Sequence, residues 1–279
     1  RGFKWLKIFI GWMLILVITG FIAAILAFMV FARNLPDPSS LEDRVITEST
    51  KIYDRTGKII LYDIHGEERR TIIPFNEIPQ TVKDATVVSE DKDFYKHRGI
   101  DFKGIVRAVW LNLTSDSLQG GSTITQQFVK KSILSDERTY TRKIKELILA
   151  LELERRYSKD EILNFYLNQI PYGANAYGIE AAAETYFSKK ASDLTLAEAA
   201  VLASLIRAPS RYSPYGDKKE ELVNRQHAVL NKMAELDYIT STEAAKAKNE
   251  TLNFSKIRSS IQAPHFVFFV KSILEEKYG

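Results

Sequence analysis

The stretch TYTRKIKELILALELERR, residues 139–156, decides the fold class. Ile144, Leu147, Ile148 and Leu151 recur at helical spacing, and no proline or glycine interrupts them. Working outward, LNFYLNQI (163–170), GIEAAAETYF (178–187) and LAEAAVLASLI (196–206) continue the helical pattern. The last opens with Thr195-Leu-Ala-Glu198, a capping-box pattern. Helical character begins after Pro79. The segments SDSLQGGS (115–122), PYGANAYG (171–178) and RAPSRYSPYG (207–216) read as loops. Before the helices, STKIYD and KIILYDI flank Arg55-Thr56-Gly57 as a β-hairpin, and Arg70–Phe75 reads as a third short strand. There is no βαβ alternation and no GxGxxG or Walker sequence, so a nucleotide-binding sheet is not expected. The prediction is a mainly α domain over residues 75–250, preceded by a tether and β region over 34–74 and followed by a linker-like tail over 251–279.

Charge places the chain relative to its surroundings. The whole sequence has 39 Lys+Arg against 35 Asp+Glu. The excess lies in residues 1–33, where Arg1, Lys4, Lys7 and Arg33 face no acid, and the remainder is balanced. This argues against a globally basic nucleic-acid binder. From Ile8 to Ala32 run 25 residues without a charge, roughly 37 Å as a helix, enough to cross a bilayer core. The run exceeds the apolar region of a signal peptide, and no small-x-small site precedes Arg33. The basic flank predicts a single-pass anchor with a cytoplasmic N-terminus and an external body.

Three segments can carry chemistry. SEDKDFYKHRGID (89–101) crowds acids, bases and a histidine around two aromatics; a carboxylate against an apolar wall there can serve as a general base. QGGSTITQQFVKK (119–131) offers a close-approach backbone at Gly120 and Gly121, caps at Ser122 and Thr123, and neutral donors at Thr125, Gln126 and Gln127. Lys130 lies about one turn further along the same face. In the third segment Arg142 and Glu146 stand i,i+4, either as a structural ion pair or as a site carboxylate with its cation. Between Lys96 and Glu146 ten basic residues face five acidic ones, a local excess suited to phosphate or pyrophosphate.

Several chemistries are excluded or disfavoured. The chain has no cysteine, so a thiol nucleophile and thiolate metal sites are out. Ser89-x-x-Lys92 lacks the SxN and K[ST]G partners of serine acyl enzymes. Asp91-x-Asp93 lacks the nucleotide fold that such a pair serves in metal-dependent sugar transferases. His65, His97, His227 and His265 show no metal-ligand spacing.

The motifs together resemble a known family. Glu90-Asp91-x-x-Phe94-x-x-His97-x-Gly99-x-Asp101 is similar to the first motif of the peptidoglycan glycosyltransferases. Gly121-Ser122-Thr123-x-Thr125-Gln126-Gln127 resembles the second, Arg142-Lys143-x-x-Glu146 the third, Lys159-x-x-Ile162-Leu163-x-x-Tyr166-Leu167-Asn168 the fourth, and Arg207-x-Pro209-x-x-Tyr212-x-Pro214 the fifth. The flanking hairpin and the APHFV tail resemble the inter-domain linker of class A penicillin-binding proteins. Asn164 departs from the glutamate that many relatives carry in the fourth motif.

The resemblance implies an all-α, lysozyme-like fold with a smaller membrane-proximal lobe. It implies polymerisation of lipid II on the outer face of the bacterial cytoplasmic membrane, with inversion to a β-1,4 linkage and release of undecaprenyl pyrophosphate. Glu90 matches the general base and Glu146 the second site carboxylate. Lys130, Arg138 and Arg107 match positions near the pyrophosphate, and Ser122 and Gln127 positions that bond the lipid-linked ligand. Thr123, Gln126, Arg142, Asn168 and Arg207 are expected among the substrate-binding residues. Asp91, Phe94, His97, Gly99, Asp101 and Gly121 support them. No organic cofactor is implied; a divalent cation, magnesium or manganese, is allowed at Glu146. Expected partners are lipid II, the growing glycan, the bilayer and proteins of cell-wall synthesis or division, with no nucleic acid. A C-terminal D,D-transpeptidase in the native protein is expected, with a monofunctional transglycosylase as the alternative. A lysozyme-like glycan-cleaving enzyme and an inactive cell-wall scaffold are the competing readings. Ile105, Val106, Trp110, Leu111, Leu113 and Leu118 are candidates to enter the bilayer interface.

Overall fold

The structure, a computed structural model, describes residues 5, 9–16, 18–20, 50–57, 60–64, 69–114, 120–134, 139–256 and 263–278. From residue 80 on, the described residues form the helices α1 (Gln80–Glu90), α2 (Phe102–Thr114), α3 (Ile124–Ser132), α4 (Tyr140–Arg156), α5 (Lys159–Gln169), α6 (Ile179–Phe187), α7 (Leu196–Leu205), α8 (Lys219–Glu235), α9 (Ser241–Lys248) and α10 (Pro264–Tyr278). The mainly α expectation holds. Residues 9–16 and 18–20 are helical and exposed, while the rest of the expected span lies outside the described residues. Among the described residues no helix is long and apolar enough to cross a membrane.

Local chemistry sets many of the helix starts. Thr123, Thr139, Ser158, Thr195 and Thr240 each cap a following helix through the side-chain oxygen. Ser158–Glu161, Thr195–Glu198 and Thr240–Glu243 are complete capping boxes, satisfying donors that a helix start otherwise leaves open. α7 is apolar on every side, and its residues from Ala197 to Leu205 are all buried. Small side chains let its neighbours come close: Ala197, Ala200 and Ala203 meet Ala85 and Val88 of α1, Val229, Leu230 and Met233 of α8, and Ala244 and Ala247 of α9. A second, larger core gathers Phe94, Phe128, Leu149, Leu153, Leu163, Tyr166, Tyr172, Tyr186 and Leu202 from the other side.

The β structure differs in part from the sequence expectation. β1 (Thr50–Tyr53) and β2 (Ile60–Ile64) form the antiparallel hairpin, with Thr50 opposite Ile64. Lys51 pins it to α6 through an ion pair to Glu184 at 2.6 Å. The third strand is only β3 (Arg69–Arg70) and does not extend to Phe75. Pro74 has no N–H to give a ladder, and Phe75–Glu77 turns into a 3₁₀ helix. β3 pairs in parallel with β5 (Ala176–Tyr177), which pairs in turn with β4 (Pro171–Gly173). PYGANAYG is therefore a small hairpin whose tip residues Ala174 and Asn175 both have positive φ, as a tight primed turn requires. Gly178, at φ 84°, must be glycine: a Cβ there falls 2.5 Å from the Asn168 carbonyl oxygen.

Asn168 ties the entering chain to α5. Its Oδ1 accepts from the Ile73 N–H and its Nδ2 donates to the Ile73 carbonyl, both at 3.0 Å. Nδ2 also reaches Asn164 Oδ1 at 2.8 Å. Asn168→Ala strips both backbone groups of their buried partner, so the variant is expected to lose about 2–4 kcal/mol of stability. Urea unfolding followed by circular dichroism checks this; a midpoint equal to the parent's rejects the clamp.

Candidate active site

The site grows from the C-terminal end of α1. Asp91, the residue after the helix, is buried and acts as a structural hub. Its carboxylate receives His97 Nε2 at 3.0 Å and the backbone N–H of Ile124 at 3.0 Å, joining the 91–101 loop to the start of α3. Phe94 is buried beneath that loop, with the Lys159 ammonium 4.3 Å from its ring centre. Gly99 has φ 79° and packs where a Cβ would lie 3.0 Å from the Ala150 carbonyl oxygen. This turn aims the Gly99 carbonyl inward, where it accepts from Thr123 Oγ1 at 2.7 Å and from Gln126 Nε2 at 3.1 Å. Asp101 Oδ1 accepts from the Gly104 N–H at 2.8 Å and so starts α2. Gly121 lies against Ile105 of α2. These residues build the frame that carries the polar groups.

Glu90 is the last residue of α1, and its side chain is only 7% exposed. Gln127 Nε2 donates to its Oε2 at 3.1 Å, and Ser89 Oγ donates to its Oε1 at 3.2 Å. Arg225, from α8, brings its guanidinium to 3.7 Å from Oε1. Arg225 also donates to the Ser204 carbonyl at 3.2 Å and lies over the Tyr212 ring. Loss of hydration lowers the pKa of this guanidinium, Glu90 opposes the fall, and Arg207 adds to it. Lys131, one turn beyond Gln127, is exposed, yet desolvation around its ammonium lowers its pKa, with Glu90 again opposing. Tyr166 and Tyr172 are fully buried nearby; burial first, and the Glu90 charge second, raise the pKa of both phenols.

Glu146 occupies the other flank. It is 2% exposed, in the middle of α4. Its Oε2 accepts from Arg142 Nη1 at 3.1 Å and its Oε1 from the Lys143 ammonium. Lys143 reaches on to Ser122 Oγ at 3.3 Å and Gln126 Oε1 at 3.4 Å. Gln126 and Gln127 are successive residues of α3, so this one helix links the two buried carboxylates. Both Glu146 oxygens already accept from cations. Among the described residues no group of three or more His, Asp or Glu side chains could hold a metal. The described residues thus offer no donor set that fits a resident divalent cation.

The expected site residues thus separate. Glu90, Gln127, Glu146, Arg142 and Ser122 come together around α3. Ser122, Lys130, Arg107 and Arg207 are exposed. Arg138 lies outside the described residues. Thr123, Gln126 and Asn168, expected among the substrate-binding residues, are each buried and hydrogen-bonded to the protein frame. Arg225 and the roles of Tyr166 and Lys143 are additions. Arg225 has no local signature: Glu90 lies 135 residues away in sequence, and only the packing of α8 against α1 and α7 brings them together.

Beside this frame α2 carries an exposed apolar stripe of Phe102, Val106, Trp110 and Leu113. With Lys103 and Arg107, the first three line a shallow hollow of about 530 Å³. Of the candidates for interface contact, Val106, Trp110 and Leu113 are outward, Ile105 and Leu111 are half-buried, and Leu118 lies outside the described residues.

The transglycosylase family model matches residues 57–234. The chain belongs to the transglycosylase family. It is 40% identical over 98% of its length to a penicillin-binding protein 1A of Aquifex aeolicus, covering 37% of that protein. It is 39% identical over 97% of its length to penicillin-binding protein 1F of Bacillus subtilis, again covering 37%. A crystal structure of penicillin-binding protein 1A from Haemophilus influenzae aligns over 83% of this chain and 25% of its own, with 25% identity and a TM-score of 0.46. The chain spans about a third of the length of the curated relatives it matches.

Glu146→Gln keeps the volume of the side chain and removes its charge. Arg142, 14% exposed, then loses its counter-charge. The expected cost is about 3 kcal/mol, as for other broken buried pairs. Chemical denaturation of parent and variant measures it, and a difference below about 0.5 kcal/mol removes the pair from the stability account.

Proposed function

We propose that this chain is the glycan-polymerising part of a cell-wall synthase, a peptidoglycan glycosyltransferase acting on lipid II. The observation that carries the reading is Glu90: a nearly desolvated carboxylate at a helix end, held by a neutral amide and approached by a guanidinium. The family match and the exposed cations Lys130 and Arg107, on helices successive in sequence, support it.

In this reading the GlcNAc 4-hydroxyl of an incoming lipid II attacks the anomeric carbon of the growing chain. Glu90 takes the hydroxyl proton as the new C–O bond forms. The bond from the anomeric carbon to pyrophosphate breaks, and the electron pair leaves with undecaprenyl pyrophosphate. Attack opposite the leaving group inverts the α-linked donor to a β-1,4 product. A positioned base contributes roughly 10²–10⁴-fold to such a step. Lys130, Arg107 and Arg138 stabilise the negative charge gathering on the pyrophosphate. Arg142, Lys143 and Glu146, with Ser122, order the donor side. A glycan-cleaving enzyme has no use for this cationic zone.

Both substrates carry lipid tails, so the site works at a bilayer surface. The uncharged run Ile8–Ala32 supports a single-pass anchor in the cytoplasmic membrane with the body outside. The α2 stripe supports shallow insertion, with Trp110 suited to the interface. Similarity to long penicillin-binding proteins supports a native protein that also bears a D,D-transpeptidase and works beside other cell-wall or division proteins. The lysozyme-like description of the helical body belongs to the same proposal.

With labelled lipid II, Glu90→Gln is expected to lower polymer formation at least 100-fold while the variant stays folded. Full activity in that variant sinks the base assignment, and release of fragments from finished glycan favours the hydrolase. Separately, anionic vesicles are expected to blue-shift fluorescence that disappears in Trp110→Phe. An unchanged spectrum rejects insertion of α2.

A further inference from the structure

Gln127 sits between two groups that make opposite demands on its amide. Its Nε2 faces the Glu90 carboxylate at 3.1 Å, and its Oε1 faces the Tyr166 hydroxyl at 3.0 Å. A carboxylate can only accept, so it requires the NH₂ end. The phenol must place its hydrogen somewhere, because Tyr166 is buried to 1% exposure and has no solvent to turn to. Burial, with Glu90 and Asp91 adding, raises its pKa well above the ordinary phenol value, so the hydrogen stays on oxygen. Turning the amide over faces its carbonyl toward the carboxylate and leaves the phenol hydrogen without an acceptor. Only one orientation satisfies both neighbours.

We infer that Tyr166 is a positioning residue which, acting through the amide of Gln127, holds the N–H end on Glu90 and thereby aims the carboxylate at the acceptor hydroxyl. This rests on the assignment of Glu90 as the base. It also gives Gln127 a task beyond the ligand contact expected from its motif. The relay runs Tyr166 on α5, Gln127 on α3 and Glu90 on α1, so three helices from distant parts of the chain fix one carboxylate. Ser89 Oγ and Arg225 approach the other oxygen, Oε1, leaving Oε2 dependent on Gln127.

Tyr166→Phe removes only the hydroxyl and keeps the ring that packs the core. Steady-state polymerisation of labelled lipid II by this variant is expected to show kcat down about tenfold, with KM within about twofold of the parent. Gln127→Ala, at a half-buried position outside the core, is expected to lower kcat by at least as much. The double variant is expected to match Gln127→Ala alone, because the phenol acts only through the amide. Losses that multiply overturn the relay, as does unchanged kcat in Tyr166→Phe while Glu90→Gln is inactive. An active Glu90→Gln enzyme instead overturns the base assignment on which the relay rests. A purely structural role for the hydroxyl predicts a lower melting temperature and a smaller active fraction that persist in the Gln127→Ala background, and that result also overturns the relay.

Discussion

The whole arrangement depends on the carboxylate of Asp91. It stands immediately after Glu90 and accepts from His97 and from the Ile124 N–H. Those bonds close the 91–101 loop and set the first turn of α3 against the end of α1. An anion at a helix start is favoured there by the open N–H groups and the helix dipole. Because α3 is placed this way, Gln127 meets Glu90, and Gln126 meets the Gly99 carbonyl. Without that bond the two carboxylates of the site have no common reference.

Buried charge is the second theme. Glu90 and Glu146 are both nearly out of solvent, but only Glu90 is met by groups from more than one helix. Glu146 is paired directly with two cations from its own helix. Glu90 receives a neutral amide, a hydroxyl and a guanidinium at 3.7 Å, an arrangement less fully neutralised. A directly paired carboxylate suits a structural and orienting task. The difference in partners is the physical basis for giving the two residues different parts.

Much of the frame was legible from local pattern. The helical periods of 144–151, the Thr195 capping box and the hairpin around Gly57 depend on neighbours within a few residues, and they appear where expected. The third strand ended early because its partner, Ala176–Tyr177, is only two residues long and lies some hundred residues on, and because Ile73 gives its backbone groups to Asn168. Thr123 and Gln126 looked like ligand donors because polar side chains near a helix start can serve a ligand or the backbone equally well. In the structure both donate to the inward-aimed carbonyl of Gly99, which has a positive φ.

Sequence alone determined the helical class, the membrane-length apolar run and the clustering of basic residues between Lys96 and Glu146. Each of these follows from residue type and short-range spacing. Tertiary structure alone decided that Arg225 faces Glu90, that Tyr166 bonds Gln127, and that Asn168 holds Ile73. Those contacts span from 39 to 135 residues, and no local pattern encodes which distant polar group will share a buried space. Desolvation is the reason they matter: away from water, each polar atom must find its partner within the protein, and only packing determines which partner that is.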